Sequence, residues 1–222
     1  MHPDRQHPIS LVEQVCEFLT SDIINGKLKP GDSLKEETLI NEFRISRSPI
    51  REALRILAGK GLVTIVPRKG AHVRRITEKD ILDIFPVRSM LEGFAANLAA
   101  QRMTEREITR LSVAIEQMEK SAEEKDFTSF MKGHYEFHRT YIEASDNEIL
   151  KEILENLLNK ALWLHFSFRY LHKNYSFSVR KHKEILRCFI RRDKDRVDGL
   201  VRQHIGAGMQ GFLSLIAKNR PE

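Results

Sequence analysis

Cysteine is scarce in this chain. Cys16 and Cys188 are the only two, they lie far apart, and each falls inside an apolar helical pattern. That excludes a disulfide framework and reads as two core thiols in a reducing compartment. Long apolar runs are missing as well, and none approaches the length of a membrane span. The first residues, MHPDRQHPIS, lack the basic patch, apolar stretch and small-residue cleavage site of a secretory signal, so the expected location is the cytoplasm. No G-x-S-x-G elbow and no glycine-rich phosphate loop is present, which removes two common enzymatic signatures. Between residues 78 and 218 the one proline is Pro86, no strand signal competes with helix, and no internal repeat or low-complexity tract occurs.

What remains is an ordinary globular composition: 41% hydrophobic and 31% charged residues over 222 positions, enough for one large domain or two modest ones. The formal net charge of +6 is unevenly spread. Residues 1–76 hold 13 Lys and Arg against 9 Asp and Glu, whereas the remaining two thirds hold 24 against 22. Positive density in the N-terminal third permits a polyanionic partner there.

The pattern Val12, Val15, Cys16, Leu19, Ile23, Ile24 has helical spacing and stops at Asn25-Gly26. A turn at Pro30-Gly31 leads to a short helix over residues 35–43. Another helix begins near Ser48-Pro49, with Ser48 expected as N-cap and Pro49 in the first helical position, where its missing N–H costs nothing. It runs to Gly59 or Gly61. LVTIV (62–66), the turn PRKG and the extended AHVRRI then form a hairpin with a basic tip. Three helices and a basic hairpin make a winged helix-turn-helix over residues 1–76. The polar stretch RRITEKD leads into residues 77–222, where Thr77 with Asp80 and Thr104 with Glu107 mark helix starts. Six helical segments follow, at about 78–101, 104–124, 126–144, 146–171, 176–191 and 193–218. The expected fold is mostly α: an N-terminal winged helix-turn-helix plus a C-terminal all-α six-helix bundle.

The segment RISRSPIREALRIL (44–57) sets Ser46, Arg47, Ser48 and Arg51 at the start of a helix whose other face, Ile50, Ala53, Leu54 and Leu57, is apolar. In a helix-turn-helix this end enters the major groove. Arginine there can donate two hydrogen bonds to guanine, and hydroxyls and backbone N–H groups can hold phosphate. Arg68 and Lys69, beside Gly70 at the hairpin tip, could reach the neighbouring groove or backbone. Taken singly, each arginine could equally be a solvated surface charge.

The stretch EETLINEFRISRSPIREALRILAGKGLVTIVPRKGAHV resembles the DNA-binding domain of GntR-family transcription regulators, through SRSPIREAL, the following GLV and the RKGAHV wing. The resemblance covers about a third of the chain. It implies a homodimer on a palindromic double-stranded DNA operator, with Arg47 and Arg51 among the contacts. Glu37 departs from those relatives that place a DNA-contacting arginine on the second helix, so that contact is not expected here.

In HYEFH, His134 and His138 stand one helical turn apart inside the apolar stripe Phe127, Phe130, Met131, Phe137, Tyr141. His182 lies in the stripe Val179, Ile185, Leu186, Phe189, and His204 between Leu200, Val201, Ile205 and Gly208. Four histidines on three helices therefore face one core. A single core histidine is usually satisfied by a carbonyl or hydroxyl. Four converging ones are harder to satisfy that way, and a divalent metal would use all their lone pairs, zinc or nickel suiting an all-nitrogen set. A metal-dependent hydrolase is the competing reading. Glu136, however, projects away from the mid-line of the two histidines and cannot serve as base to a water they share. A third reading makes the helical part a metal-free dimerisation module.

The spacing also resembles the metal-binding FCD ligand domain of FadR-type GntR regulators, which carries Asp-x-x-Phe-His and one histidine on each of the last two helices; six helices fit the VanR-like branch. HYEFH, KHKEIL and VRQHI supply the matching residues, with His134 replacing the aspartate. The resemblance implies a metal site at His134, His138, His182 and His204. Loss of the aspartate's charge favours an anionic effector, a small carboxylate at an open position on the metal. Arg88, at the inward spacing Ile81, Ile84, Phe85, Arg88, Leu91, could grip a second carboxylate or pair with Glu92 one turn on; both readings stand.

Overall fold

The computed structural model describes residues 9–24, 26–75, 77–167 and 175–218, with the side chains of 24 and 159–167 left out. Asn25, Ile76 and the expected helical residues 168–171 lie outside the described residues. The chain divides into two compact units, Met1–Arg75 and Ile76–Glu222.

In the first unit, α1 (Leu11–Ile24), α2 (Glu36–Phe43) and α3 (Arg47–Gly59) pack beside a three-stranded sheet of β1 (Ser33–Leu34), β2 (Val63–Val66) and β3 (Gly70–Val73). The sheet order is β1-β3-β2, antiparallel throughout, with Ile65 opposite Ala71 and Leu34 opposite the same alanine on the other side. The hairpin is the expected wing. Strand β1 is an addition, two residues being too short for alternation to register. The core is Val15, Leu19 and Ile23 of α1 against Ile50, Ala53, Leu54 and Leu57 of α3, closed by Leu34, Val63 and Val73.

One boundary differs from expectation. Helix α3 starts at Arg47 with Ser46 as N-cap, two residues earlier than the Ser48 cap read from the sequence. Pro49 then occupies the third helical position. The first four N–H groups of a helix have no intrahelical partner, so proline is tolerated there as well as at the first position. The earlier start carries Arg47 onto the helix itself.

The second unit consists, among the described residues, of α4 (Glu78–Arg102), α5 (Glu105–Glu123), α6 (Phe127–Ala144), α7 (Glu148–Ser167), α8 (Tyr175–Ile190) and α9 (Lys194–Lys218). Both expected helix starts form, and each is a capping box, Thr77 with Asp80 and Thr104 with Glu107. Asp126 caps α6 by accepting from the Ser129 N–H at 3.1 Å. Helices α5 and α6 approach closely at Gly133, where an added Cβ would stand 2.8 Å from the Ala114 carbonyl oxygen. No described helix is long and apolar enough to cross a membrane.

Helix α4 is apolar on two opposite faces. Ile81, Phe85, Ala95 and Ala99 are buried within the unit, while Val87, Met90 and Phe94 are 46%, 62% and 47% exposed. A surface helix normally buries one stripe and solvates the other.

Candidate functional site

All four histidines meet. His134 and His138 project from α6, His182 from α8 and His204 from α9, and one ligand atom from each lies within 4.8 Å of the others. Their ring centroids are 4.5 Å apart for His182 and His204 and 4.6 Å for His134 and His138. His138 and His182 are wholly buried, and His204 is half-buried.

The tautomers are set from behind. His182 Nδ1 is 2.7 Å from the Ser178 carbonyl, which can only accept, so Nδ1 carries the proton and Nε2 presents its lone pair. Burial, with the neighbouring His138, pulls the His182 imidazole down to about 3, keeping it neutral and able to ligate. His138 Nδ1 is 2.6 Å from Glu92 Oε2. The Nε2 atoms of both rings are buried with no hydrogen-bond partner. Two orphaned acceptors in one core are costly, and a shared divalent cation is the group that satisfies both at once. The donor set thus fits a metal, with imidazole nitrogens from three helices brought within 4.8 Å of one another.

Glu92 was visible in the sequence only as a partner for Arg88. In the structure it is the hinge of the site, fully buried, with its carboxylate divided between two tasks. Oε1 accepts from Arg88 at 2.7 Å, and Oε2 faces His138 Nδ1 and accepts from the Tyr141 hydroxyl. Burial raises the Glu92 carboxyl, but the Arg88 charge and the His138 and Tyr141 hydrogen bonds outweigh it and hold the group at about 2. Burial and the adjacent Glu92 charge push the Tyr141 phenol well above its ordinary value. A carboxylate behind a ligating histidine orients the ring and raises its basicity. The Tyr141 contribution was concealed by its place in an ordinary apolar stripe.

Beside the cluster lies a cavity of about 510 Å³ between α4, α6, α8 and α9, and His134, His204 and Arg88 are in its wall. Of the two readings the sequence left open for Arg88, the pair with Glu92 is present, and the residue also lines the cavity. Glu136 faces elsewhere, 2.6 Å from Arg110 on α5, so no carboxylate from HYEFH reaches the histidines.

In the first unit, Ser46, Arg47, Ser48 and Arg51 are exposed at the start of α3, and Arg68, Lys69 and Gly70 are exposed at the wing tip. Arg68 and Gly70 take φ of 63° and 85°, the left-handed backbone that turns the chain between β2 and β3. Sequence reasoning missed Glu36. It lies in the first turn of α2, with its two oxygens 2.8 Å from Arg51 Nε and 3.5 Å from Arg47 Nε. Both arginines are gripped through Nε, the atom an end-on guanine contact does not need.

Comparison with known proteins agrees with this division. Residues 11–73 match the family described as bacterial regulatory proteins, gntR family, and residues 83–207 match the FCD domain. The HTH-type transcriptional regulator YdhC of Bacillus subtilis is 34% identical over 145 residues, 65% of this chain and 65% of its own length. The HTH-type transcriptional repressor RspR of Escherichia coli is 27% identical over 196 residues, 87% of this chain and 85% of its own. Among solved structures, E. coli McbR/YncC superposes with a TM-score of 0.80 at 21% identity, covering 94% of this chain and 99% of that one, a likeness of fold.

Proposed function

Because the chain belongs to the GntR family of DNA-binding transcriptional regulators and carries an FCD domain, we propose that its affinity for an operator is controlled by a small carboxylate bound at a metal in the helical unit. The observation that carries this reading is the pair of orphaned Nε2 atoms, on His138 and His182, beside a cavity walled by His134, His204 and Arg88. His134, His138, His182 and His204 would hold one zinc or nickel ion, which would supply a Lewis-acidic position for an anionic oxygen. Imidazole ligands bring no negative charge to balance the ion's, and the Glu92 charge behind them is paired with Arg88. An anionic effector is favoured accordingly.

In the same reading the protein is a homodimer on a palindromic operator. The exposed Val87, Met90 and Phe94 face of α4 supports a second copy of the unit as its cover. Ser46, Arg47, Ser48 and Arg51 would meet the major groove, and Arg68, Lys69 and Gly70 the neighbouring backbone or groove. Phosphate contacts make the affinity fall steeply with salt.

Metal content of protein purified without a nickel column, with and without His182→Ala and His204→Ala, tests the reading. One ion per chain is expected in the parent and loss in both variants, together with a fall in Tm. Unchanged metal content in the doubly substituted protein would place the site elsewhere.

A further inference from the structure

The chamber beside the histidines is amphipathic, and its two ends differ sharply. Six rings enclose it: Phe85, Phe127, Phe130, Tyr175, Phe177 and Phe212. Phe85 and Phe212 pack with centroids 5.5 Å apart, and Phe130 and Tyr175 edge to face at 4.8 Å. Apart from the Tyr175 hydroxyl, side-chain polarity in the wall comes from Arg88, His134, Ser178 and His204. Each of these is tied to the histidine cluster. His134 and His204 belong to it, the main-chain carbonyl of Ser178 accepts from His182, and Arg88 is linked through Glu92 to His138. Polar recognition therefore sits at one pole, and the rest of the volume is apolar.

Arg88 is also committed. Its Nε and Nη2 both go to Glu92 Oε1, so its side-on edge is taken and only its outer Nη edge is left for a ligand, at the same pole as the histidines. An extended dicarboxylate with one end at that pole would place its second charge against aromatic walls, where an unpaired carboxylate is heavily penalised. A polyhydroxylated acid would leave most of its hydroxyls without partners. A cavity of about 510 Å³ is of the size that encloses a ligand larger than acetate or lactate.

We infer that the effector is a monocarboxylate with an apolar body, aliphatic or aryl-alkyl, its carboxylate toward the histidine pole and its body among the six rings. This rests on the metal–carboxylate reading above and narrows it to one chemical class. The rim suits such a ligand: Phe177 is partly exposed, with the Arg180 guanidinium 5.5 Å and the Lys181 ammonium 6.0 Å from its ring centre, a cationic approach to an apolar interior.

Calorimetric titration of the zinc-loaded full-length protein with acetate, butanoate, hexanoate, octanoate and 4-phenylbutanoate, beside gluconate and citrate, tests the inference. Affinity should rise about fourfold per methylene until the chamber is full, and 4-phenylbutanoate should exceed gluconate and citrate. Octanamide, with the body but no charge, should bind more weakly than octanoate. Gly211 lines the chamber, and a Cβ there meets nothing within 4 Å, so Gly211→Leu should shorten the chain length at which affinity peaks. A flat series, tighter binding of gluconate or citrate, or an unshifted peak in Gly211→Leu overturns the inference. The underlying reading fails separately: if the apolar acids bind equally well after chelation, the metal has no part in holding the head group although the apolar preference stands. If the short, polar and apolar acids bind alike and only with zinc present, the metal–carboxylate reading survives and the apolar class falls.

Discussion

Glu92 Oε2 lies 2.6 Å from His138 Nδ1, both side chains fully buried, while its other oxygen holds Arg88. Glu92→Gln should therefore do two separable things. Loss of the carboxylate behind His138 should weaken zinc binding about 10–100-fold, read by competition with a chromogenic chelator. Leaving Arg88 buried and unpaired should cost about 3–5 kcal/mol of stability. Arg88→Met combined with Glu92→Gln should recover much of the stability and none of the zinc affinity. Recovery of both together would show that Glu92 acts only through the fold.

Glu36 sits against Arg47 and Arg51 at the start of α3. Arg51→Ala, at an exposed position, should leave Tm unchanged and cost about 1–3 kcal/mol of operator affinity, relaxing specificity at one base pair. Glu36→Gln removes a negative charge from the DNA-facing surface and releases both guanidinium groups. It should strengthen binding to a scrambled duplex while narrowing the preference for the operator, measured by fluorescence anisotropy at fixed salt. Parallel gains on both duplexes would show that Glu36 has only an electrostatic effect.

The outward face of α4 carries Val87, Met90 and Phe94. Met90→Glu should shift the protein from dimer to monomer in sedimentation velocity and lower operator affinity through loss of the second half-site, while the far-ultraviolet circular dichroism stays that of the parent. A stable dimer in the variant would assign the interface to another surface.

Gly133 brings α5 and α6 together one residue before His134. A valine there would push against the Ala114 carbonyl, part of the backbone, which cannot move aside as a flexible side chain would. Gly133→Val should cost about 1–3 kcal/mol in denaturant titration and reduce zinc affinity by displacing His134. A neutral effect on both would mean that the helices part without consequence.

Arg110 on α5 binds Glu136 at 2.6 Å and Glu143 at 2.9 Å on α6. Burial raises the Glu143 carboxyl, but hydrogen bonds from Arg110 and Arg139 more than offset this and leave it below the ordinary 4.5. A carboxyl with a depressed folded pKa contributes stability that is present above its unfolded value and lost as pH falls through the folded one. Stability should decline on acidification below about 4.5, and Arg110→Met should make that part of the decline shallower. An identical acid limb in parent and variant would remove Arg110 from the account.

Much of this protein is local and therefore legible in one dimension. Helix starts at Thr77 and Thr104 are set by a residue and its neighbour three positions on, and the wing by a β-branched run and a glycine turn. His134 and His138 share a face because a helix repeats every 3.6 residues. Tertiary structure decided what local pattern cannot express. Glu92 meets His138 across 46 positions, Glu36 meets Arg51 across 15, and Ser33–Leu34 becomes a strand only because β3 lies beside it. The apolar character of the chamber is of the same kind. Phe85, Phe130, Phe177 and Phe212 each look like ordinary core residues in their own helices, and only the packing of four helices leaves a space between them instead of filling it.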